Sequence, residues 1–137
     1  MPVDDIPNPK PSGELLLRVM PMPSDVNRNG NIFGGWVMSQ MDIAGGILAN
    51  QRARSPVATV SVQTINFIRP IKIGDIVGVY GEIVRIGRTS ITVYLEVYVS
   101  PVLLQPSPNE DESFLVASSA FTFVAIDDQG RPHPVDR

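Results

Sequence analysis

The sequence predicts a single α+β domain in which one helix packs against a mainly antiparallel sheet. Apolar residues show helical spacing in one segment, from Phe33 to about Asn50, and segments of period-two alternation follow it. The links between those later segments are too short for the crossovers that parallel strands need. The 137 residues suffice for one hydrophobic core and not for two.

The predicted sheet has five strands, one before the helix and four after it. The strand segments are Leu15–Met20, Val57–Ile68, Ile76–Ile86, Thr89–Val99 and Phe114–Ile126. In the second segment the alternation slips near Gln63 and Thr64, which predicts a bulge or bend there. In the fourth segment the apolar residues alternate cleanly with polar ones, so one face of the sheet is expected to line the core.

The domain is expected to span residues 14–126, between two terminal segments. Residues 1–13 form a proline-rich arm, and residues 127–137 form a polar tail. Pro101 to Ser113, with two further prolines and an acidic run, is predicted to be a surface excursion. Pro21 to Ile32 is rich in Pro, Asp, Asn and Gly, which indicates a long loop, and long loops in small domains are often functional.

Composition excludes several classes of function. The net charge of -3 without any basic block makes nucleic acid an unexpected partner. The absence of cysteine excludes a thiol nucleophile and thiolate metal sites, and the single histidine, His133, lies in the tail, so no metal site or Ser/His/Asp triad is expected. No apolar run approaches the roughly 20 residues of a membrane-spanning helix. We expect a cytoplasmic protein without a membrane partner.

The predicted helix lacks a solvent face, because Asp42 is the only ionisable residue between Arg28 and Arg52. One side carries large apolar residues: Phe33, Trp36, Val37, Met41, Ala44, Ile47 and Leu48. The opposite side carries small residues: Gly34, Gly35, Ser39, Gly45, Gly46 and Ala49. The sheet can cover one side only, so we infer that a second copy of the chain covers the other, which makes the protein at least a homodimer.

Asp42 is the first candidate catalytic residue. A carboxylate in poor solvent with no cation nearby in the sequence suits the task of a general base or a nucleophile. The alternative is structural: Asp42 would bond a loop amide of the partner chain and order the interface. The residues alone leave both interpretations open.

The loop before the helix supplies the complementary groups. Asn27 and two further asparagines lie close to Gly34 and Gly35, so amide donors gather at the N-terminus of a helix, which stabilises negative charge. Such donors could hold the oxyanion formed during acyl transfer. The alternative is that these asparagines only cap the helix and form turns.

The segment from Met22 to Asp42, MPSDVNRNGNIFGGWVMSQMD, closely resembles the start of the hotdog-fold acyl-CoA thioesterases, in particular the YciA-like bacterial branch. The resemblance continues through Asn66–Pro70, Gly74–Asp75, Gly87–Ser90 and Gly130–Pro132. It implies a long central helix wrapped by a curved, mainly antiparallel five-stranded sheet. It also implies a homodimer with two active sites at the interface, often assembled as a trimer of dimers.

The resemblance further implies an acyl-CoA substrate, with CoA as part of that substrate and no separate cofactor. In the family the carboxylate matching Asp42 is catalytic, and the asparagine matching Asn27 comes from the opposing subunit. Gly34 and Gly35 match the glycines whose backbone donates to the thioester oxygen. Arg69, Lys72, Arg85 and Arg88 are candidates for binding the CoA phosphates, or else solvated surface charges.

Three points stay open from the sequence. Trp36, Met38 and Met41 either line an acyl tunnel or belong to the core. The Pro101–Ser113 excursion is longer and more acidic than is usual for this branch, and His133 stands where relatives commonly carry a stronger cation. A rival function is a non-catalytic oligomer that binds acyl-CoA. Dehydratases and hydratases of the same fold are disfavoured, because they use a histidine with an acid and the single histidine here lies in the tail, far from the helix.

Overall fold

The computed structural model describes residues 10–101 and 113–136, and these form one α-helix and six strands. Every predicted strand is present in this part of the chain. The elements are β1 (Glu14–Val19), α1 (Gly34–Ala53), β2 (Val57–Val62), β3 (Asn66–Phe67), β4 (Asp75–Ile86), β5 (Ser90–Pro101) and β6 (Phe114–Ala125). The sheet has six strands rather than five because the segment predicted as Val57–Ile68 divides into β2 and the two-residue β3.

The sheet is antiparallel throughout, as predicted. Its strand order is β1-β4-β5-β6-β2, and β3 pairs with β6 beyond the end of β2. The helix lies against one face and contacts β1, β2, β4, β5 and β6. No helix in the described ranges is long and apolar enough to cross a membrane.

Strand β2 contains the predicted irregularity, in two parts. Thr59 pairs with Phe123 and Ser61 pairs with Thr122, so Val60 is an extra residue that bulges from the ladder. The chain then leaves the strand over residues 63–65. The bulge therefore lies three residues before the predicted position, and the bend lies at it.

The predicted core face of the helix is only partly correct. Val37, Met41 and Ala44 are buried as predicted, but Phe33 is 50% and Ile47 is 40% exposed. Gly45 and Ala49, which were assigned to the opposite side, are buried instead.

Close packing of the helix on the sheet explains this difference. A Cβ atom added to Gly45 would lie 2.8 Å from the Phe123 ring and 3.1 Å from Leu95 Cδ1. Small residues therefore face the sheet, and the large side chains beside them turn outward. We call the outward-facing side chains Ile43 and Ile47, which lie about one helical turn apart, the exposed helix face.

The far face of the sheet is also covered in places. Glu96 and Tyr98 are 7% and 2% exposed although they project away from the helix. Ser12 donates two hydrogen bonds to Glu96 Oε1, from its backbone N at 2.9 Å and from Oγ at 2.7 Å. The described end of the predicted arm is therefore hydrogen-bonded to the far face of the sheet. Residues 1–9 lie outside the described ranges.

Candidate active site

The loop before the helix is organised by Asn27. Its Oδ1 accepts hydrogen bonds from the backbone N of Asn29 (2.9 Å) and of Asn31 (3.2 Å). Gly30 completes the turn with a φ of 81°, a region that glycine adopts without steric cost. The side-chain oxygen of Asn27 thus shapes the loop, as the turn-forming alternative requires. Its NH₂ group has no hydrogen-bond partner within the described residues, so it is available to a ligand.

The helix begins at Gly34, and its N-cap residue, Phe33, offers no side-chain hydrogen bond to the first turn. The first backbone N–H groups of a helix have no partner inside the helix, and those of Gly34 and Gly35 have none elsewhere in the described residues. Both glycines are exposed, and the space beside Gly35 is empty to 4 Å. Two adjacent donors therefore point out of the positive end of the helix.

A groove of about 400 Å³ runs beside this helix start. It joins the loop and the helix to the segment after β3 and to β6. Its lining residues are Asn27, Asn31, Ile32, Gly34, Val37, Phe67, Ile68, Arg69, Pro70, Ile71, Val116 and Ala117. The fold thus gathers Asn27, Gly34 and Arg69 around one cavity with mostly apolar walls.

Asp42 lies away from that groove. It follows Gly34 by eight helical residues, which is about 12 Å along the axis at 1.5 Å per residue. Its side chain is half-buried, and its Oδ1 accepts a hydrogen bond from Thr59 Oγ1 at 2.5 Å. No ion pair of Asp42 occurs within the described residues. One chain alone therefore does not place Asp42 beside Asn27, Gly34 and Gly35.

The four candidate phosphate-binding cations fall into two groups. Arg69 lines the groove, and its guanidinium lies 4.4 Å above the centroid of the Phe114 ring. Lys72 lies close to the groove, because its backbone forms a β-bridge with Asn31, which lines the groove. Arg85 and Arg88 lie at the other end of β4, around the turn into β5.

The structure also locates the remaining residues that sequence analysis singled out. Met41 is fully buried in the core, Trp36 packs against that core, and Met38 is 41% exposed. None of the three lines the groove. His133 is half-buried in the tail, where its backbone N donates to Ala125 O. Most of the predicted excursion, residues 102–112, lies outside the described ranges.

Sequence reasoning missed Thr59, the hydrogen-bond partner of Asp42. The available signal was a hydroxyl residue in the first strand after the helix, four residues before the predicted irregularity at Gln63 and Thr64. That signal does not identify a partner, because Thr is common in strands for its β-branched shape alone.

The chain matches known thioesterases over most of its length. The thioesterase superfamily model matches residues 29–104. The acyl-CoA thioester hydrolase YciA of Salmonella typhimurium is 45% identical over 125 residues, which cover 91% of this chain and 92% of that protein.

Solved structures agree with this match. The crystal structure of a hexameric broad specificity acyl-coenzyme A thioesterase, in an aspartate-to-alanine mutant form, aligns with a TM-score of 0.85 and 48% identity over 92% of this chain and 88% of that chain. A hexameric hotdog fold thioesterase of Campylobacter jejuni aligns with a TM-score of 0.81 and 39% identity over 89% and 90%. The chain therefore has the hotdog fold and belongs to the thioesterase superfamily.

Proposed function

We propose that this protein is an acyl-CoA thioester hydrolase, which converts an acyl-CoA and water into a free acid and CoA. The observation that carries the proposal is the uncapped helix start at Gly34 and Gly35, which opens beside a groove shared with Asn27. Those donors suit the oxygen of a thioester carbonyl, which gains negative charge when the carbonyl carbon is attacked. The relatives named above, which are acyl-CoA thioesterases, support the same substrate class.

In the proposed reaction, Asp42 removes a proton from a water molecule whose oxygen attacks the thioester carbon. Alternatively, the Asp42 carboxylate attacks that carbon itself, and water then hydrolyses the resulting anhydride. In both routes the carbon–sulfur bond breaks and the sulfur leaves with the electron pair as the CoA thiolate. The Gly34 and Gly35 N–H groups stabilise the intermediate oxyanion, and the Asn27 NH₂ group orients the water or the carbonyl.

We further propose that two copies of the chain form each site. The separation of about 12 Å along the helix between Gly34 and Asp42 is too long for one thioester carbon to meet both. A second copy that packs on the exposed helix face would bring its own Asn27, Gly34 and Gly35 to this Asp42. The hexameric relatives support a homo-oligomer, and a trimer of dimers is the assembly that we propose.

For the CoA moiety, we propose Arg69 and Lys72 as phosphate ligands. Arg69 stands at the groove and is held over the Phe114 ring; such contacts contribute about 0.5–1 kcal/mol at exposed sites. An arginine held in this way loses less freedom when it binds a phosphate. Arg85 and Arg88 lie at the opposite end of β4 from this groove. They could therefore bind only a CoA phosphate in the groove of another copy.

The substitution Asp42→Asn tests the proposal, because it keeps the shape of the side chain and removes the base. In a thiol-trapping assay with short-chain, long-chain and aromatic acyl-CoAs, we expect the wild type to release CoA and D42N to lose roughly 10²–10⁴-fold in kcat. The matched control is D128N, which changes an exposed tail aspartate and should retain full activity.

Two outcomes would contradict this function. Near-normal turnover by D42N would remove Asp42 from the mechanism. Binding of acyl-CoA by the wild type without any thiol release would identify a non-catalytic binding protein instead. Size-exclusion chromatography of D42N should show the wild-type oligomer, so that a loss of turnover is not a loss of assembly.

A further inference from the structure

We infer that Asp25 is a positioning residue, which fixes the loop that presents Asn27 and the Gly34 donor to the substrate. This inference rests on the proposed function and adds to it a residue that lies before the helix. Asp25 closes a short 3₁₀ turn, Pro23–Asp25. Its backbone N donates to Met22 O at 2.8 Å, and its Oδ2 accepts from Met22 N at 2.8 Å. These two bonds run in opposite directions between the same residues, so together they fix Asp25 against Met22.

The loop between this turn and the helix is a small β-hairpin. Three residue pairs hold its two arms together: Asp25 with Phe33, Val26 with Ile32, and Asn27 with Asn31. Gly30 N donates to Asn27 O at 3.1 Å and closes the tip. The positive φ that such a tip requires falls on Gly30. The hairpin therefore has Asn27 at its tip and the N-cap residue of the helix, Phe33, at its base.

The base of the hairpin determines the direction of the helix start. Phe33 N donates to the carbonyl oxygen of Asp25 at 3.0 Å. The next two N–H groups, those of Gly34 and Gly35, have no partner in the described part of the chain and are the donors assigned to the thioester oxygen. A shift of the Asp25 carbonyl therefore moves the Phe33 peptide and, with it, the two donors that follow.

The two arms of the hairpin are anchored differently. The arm that leads into the helix is bonded to the segment after β3, because Ile32 N donates to Ile71 O at 2.9 Å and Asn31 forms a β-bridge with Lys72. The arm of residues 25–27 has hydrogen bonds, within the described ranges, only to the other arm, to the tip and to residues 22–23. At its base the Asp25 carboxylate is the side chain that makes such a bond.

The Asp25 carboxylate acts through this hydrogen bond rather than through an ion pair. Asp25 is half-buried, and none of the salt bridges between described residues includes it. What the position needs is an acceptor oxygen for the Met22 N–H. An asparagine side chain offers such an oxygen without the charge, so the two properties can be separated by mutation.

The test compares Asp25→Ala, which removes the acceptor, with Asp25→Asn, which keeps an acceptor oxygen. We expect D25A to lower kcat by about 10- to 100-fold, because small displacements of groups that stabilise the transition state have effects of that size. Its KM should stay within about twofold, since the displaced donors act mainly on the oxyanion. D25N should recover most of kcat.

The matched control is Asp127→Ala in the tail. Asp127 Oδ1 accepts hydrogen bonds from the backbone N of Gln129 and of Arg131, both at 2.9 Å. D127A therefore loses the same kind of bond, from a carboxylate to the backbone of a turn, outside the groove. It should lower the thermal midpoint about as much as D25A does and should leave kcat unchanged.

A second readout does not depend on turnover. Phe33 and Gly34 form the only Phe-Gly pair in the sequence. Protein labelled with ¹³C at the phenylalanine carbonyl carbons and with ¹⁵N in glycine therefore shows the Gly34 amide as a single coupled NMR signal. We expect D25A to shift that signal, and D25N and D127A to leave it near the wild-type position. Size-exclusion chromatography checks the assembly of D25A and of Asp25→Leu, a second variant without an acceptor.

The outcomes separate this inference from the proposed function. Wild-type kcat in D25A, or an unshifted Gly34 signal, would overturn the role of Asp25 while leaving an active hydrolase. A lower kcat in D25A that D25N does not recover would also overturn it, because the hydrogen bond would not be the cause. A wild-type protein that releases no CoA would overturn the proposed function, whereas a shifted Gly34 signal in D25A would still show that Asp25 fixes the loop.

Discussion

Tyr98 is the side chain whose polar atom is least satisfied in the described structure. Its hydroxyl is buried without a hydrogen-bond partner among the described residues. Its ring meets Tyr80 edge-on, with 5.5 Å between the centroids. Burial, and next the negative charge of Glu96, raise the pKa of Tyr98 to about 12. Tyr98 therefore remains a neutral phenol in the folded protein at neutral pH.

The raised pKa predicts a loss of stability at alkaline pH. In the unfolded chain Tyr98 loses its proton near pH 10, whereas in the folded chain its pKa is about 12. The contribution of Tyr98 to the free energy of unfolding is therefore complete below pH 10 and is lost as the pH rises toward 12. The loss is roughly 3 kcal/mol, at 1.4 kcal/mol per pKa unit. In Tyr98→Phe this part of the loss should vanish.

The same variant should be about 1 kcal/mol more stable at pH 7, because it removes a buried hydroxyl without a partner. Urea unfolding between pH 7 and pH 11.5 measures both effects. Thr92→Val, on the same face of the sheet and without an ionisable group, is the control and should keep the wild-type pH dependence. An alkaline slope in Y98F equal to that of the wild type would contradict the prediction.

At this scale the sequence identified residues by their chemistry and not by their contacts. Asp42 was found because it is the one acid in its helix, and Asn27 because it belongs to a loop rich in turn-forming residues. The contact between Asp42 and Thr59 depends on the register of β2. Register is set by pairing with β6, more than 50 residues later in the chain.

Among the secondary-structure elements, the contact between helix and sheet is set by Gly45. A glycine inside a helix costs about 1 kcal/mol relative to alanine. Here it allows an approach at which a Cβ atom would lie 2.8 Å from the Phe123 ring. The tighter contact of the whole helix with the sheet offsets that cost.

The adjacent glycines provide a matched pair of variants. Gly45→Ala should destabilise the protein by about 1–3 kcal/mol, because the added methyl overpacks the core. Gly46→Ala should cost clearly less than Gly45→Ala, since its Cβ would lie 3.8 Å from the same ring, an ordinary contact distance. Thermal unfolding at one fixed protein concentration compares the two. Equal effects from G45A and G46A would show that Gly45 does not set the helix distance.

Strand β2 shows how far periodicity alone reaches. The slip in alternation predicted an irregularity in the segment after the helix, and one is present. The bend lies at the predicted position, but the bulge lies three residues earlier, because Val60, an apolar residue, is the one that bulges out of the ladder and is 58% exposed. The pattern of polar and apolar residues shows that the alternation changes phase, but it does not identify the residue that leaves the strand ladder.

For the molecule as a whole, one side remains apolar and unpaired. The exposed helix face lies beside β2, the edge strand of the sheet, and an open groove between them is lined by Ile43, Gly46, Ile47, Asn50, Gln51, Pro56 and Val57. An unpaired edge next to exposed apolar side chains favours association with another chain. We assign this side to the contact between copies that the proposed site requires.

Ile47→Glu tests this assignment, because it places a charge where apolar contact is expected. The variant should form smaller assemblies and lose turnover in parallel, since each proposed site combines two copies. Size-exclusion chromatography with light scattering gives the mass, and the thiol-trapping assay gives the activity. Val84→Glu, at an exposed apolar residue of β4, is the control and should keep both. A fully active monomer of I47E would contradict the shared site.

The sequence by itself determined the α+β class, the order of helix and strands, and the family, because periodicity, turn residues and the Met22–Asp42 motif are local properties of the chain. Only the tertiary structure decided which side of the helix is buried, since that depends on whether Gly45 or a larger residue meets Phe123. It likewise decided that Thr59 holds Asp42, and that Asp42 lies two helical turns from the donors at Gly34. These relations join residues through strand pairing and close packing, which no short stretch of sequence encodes.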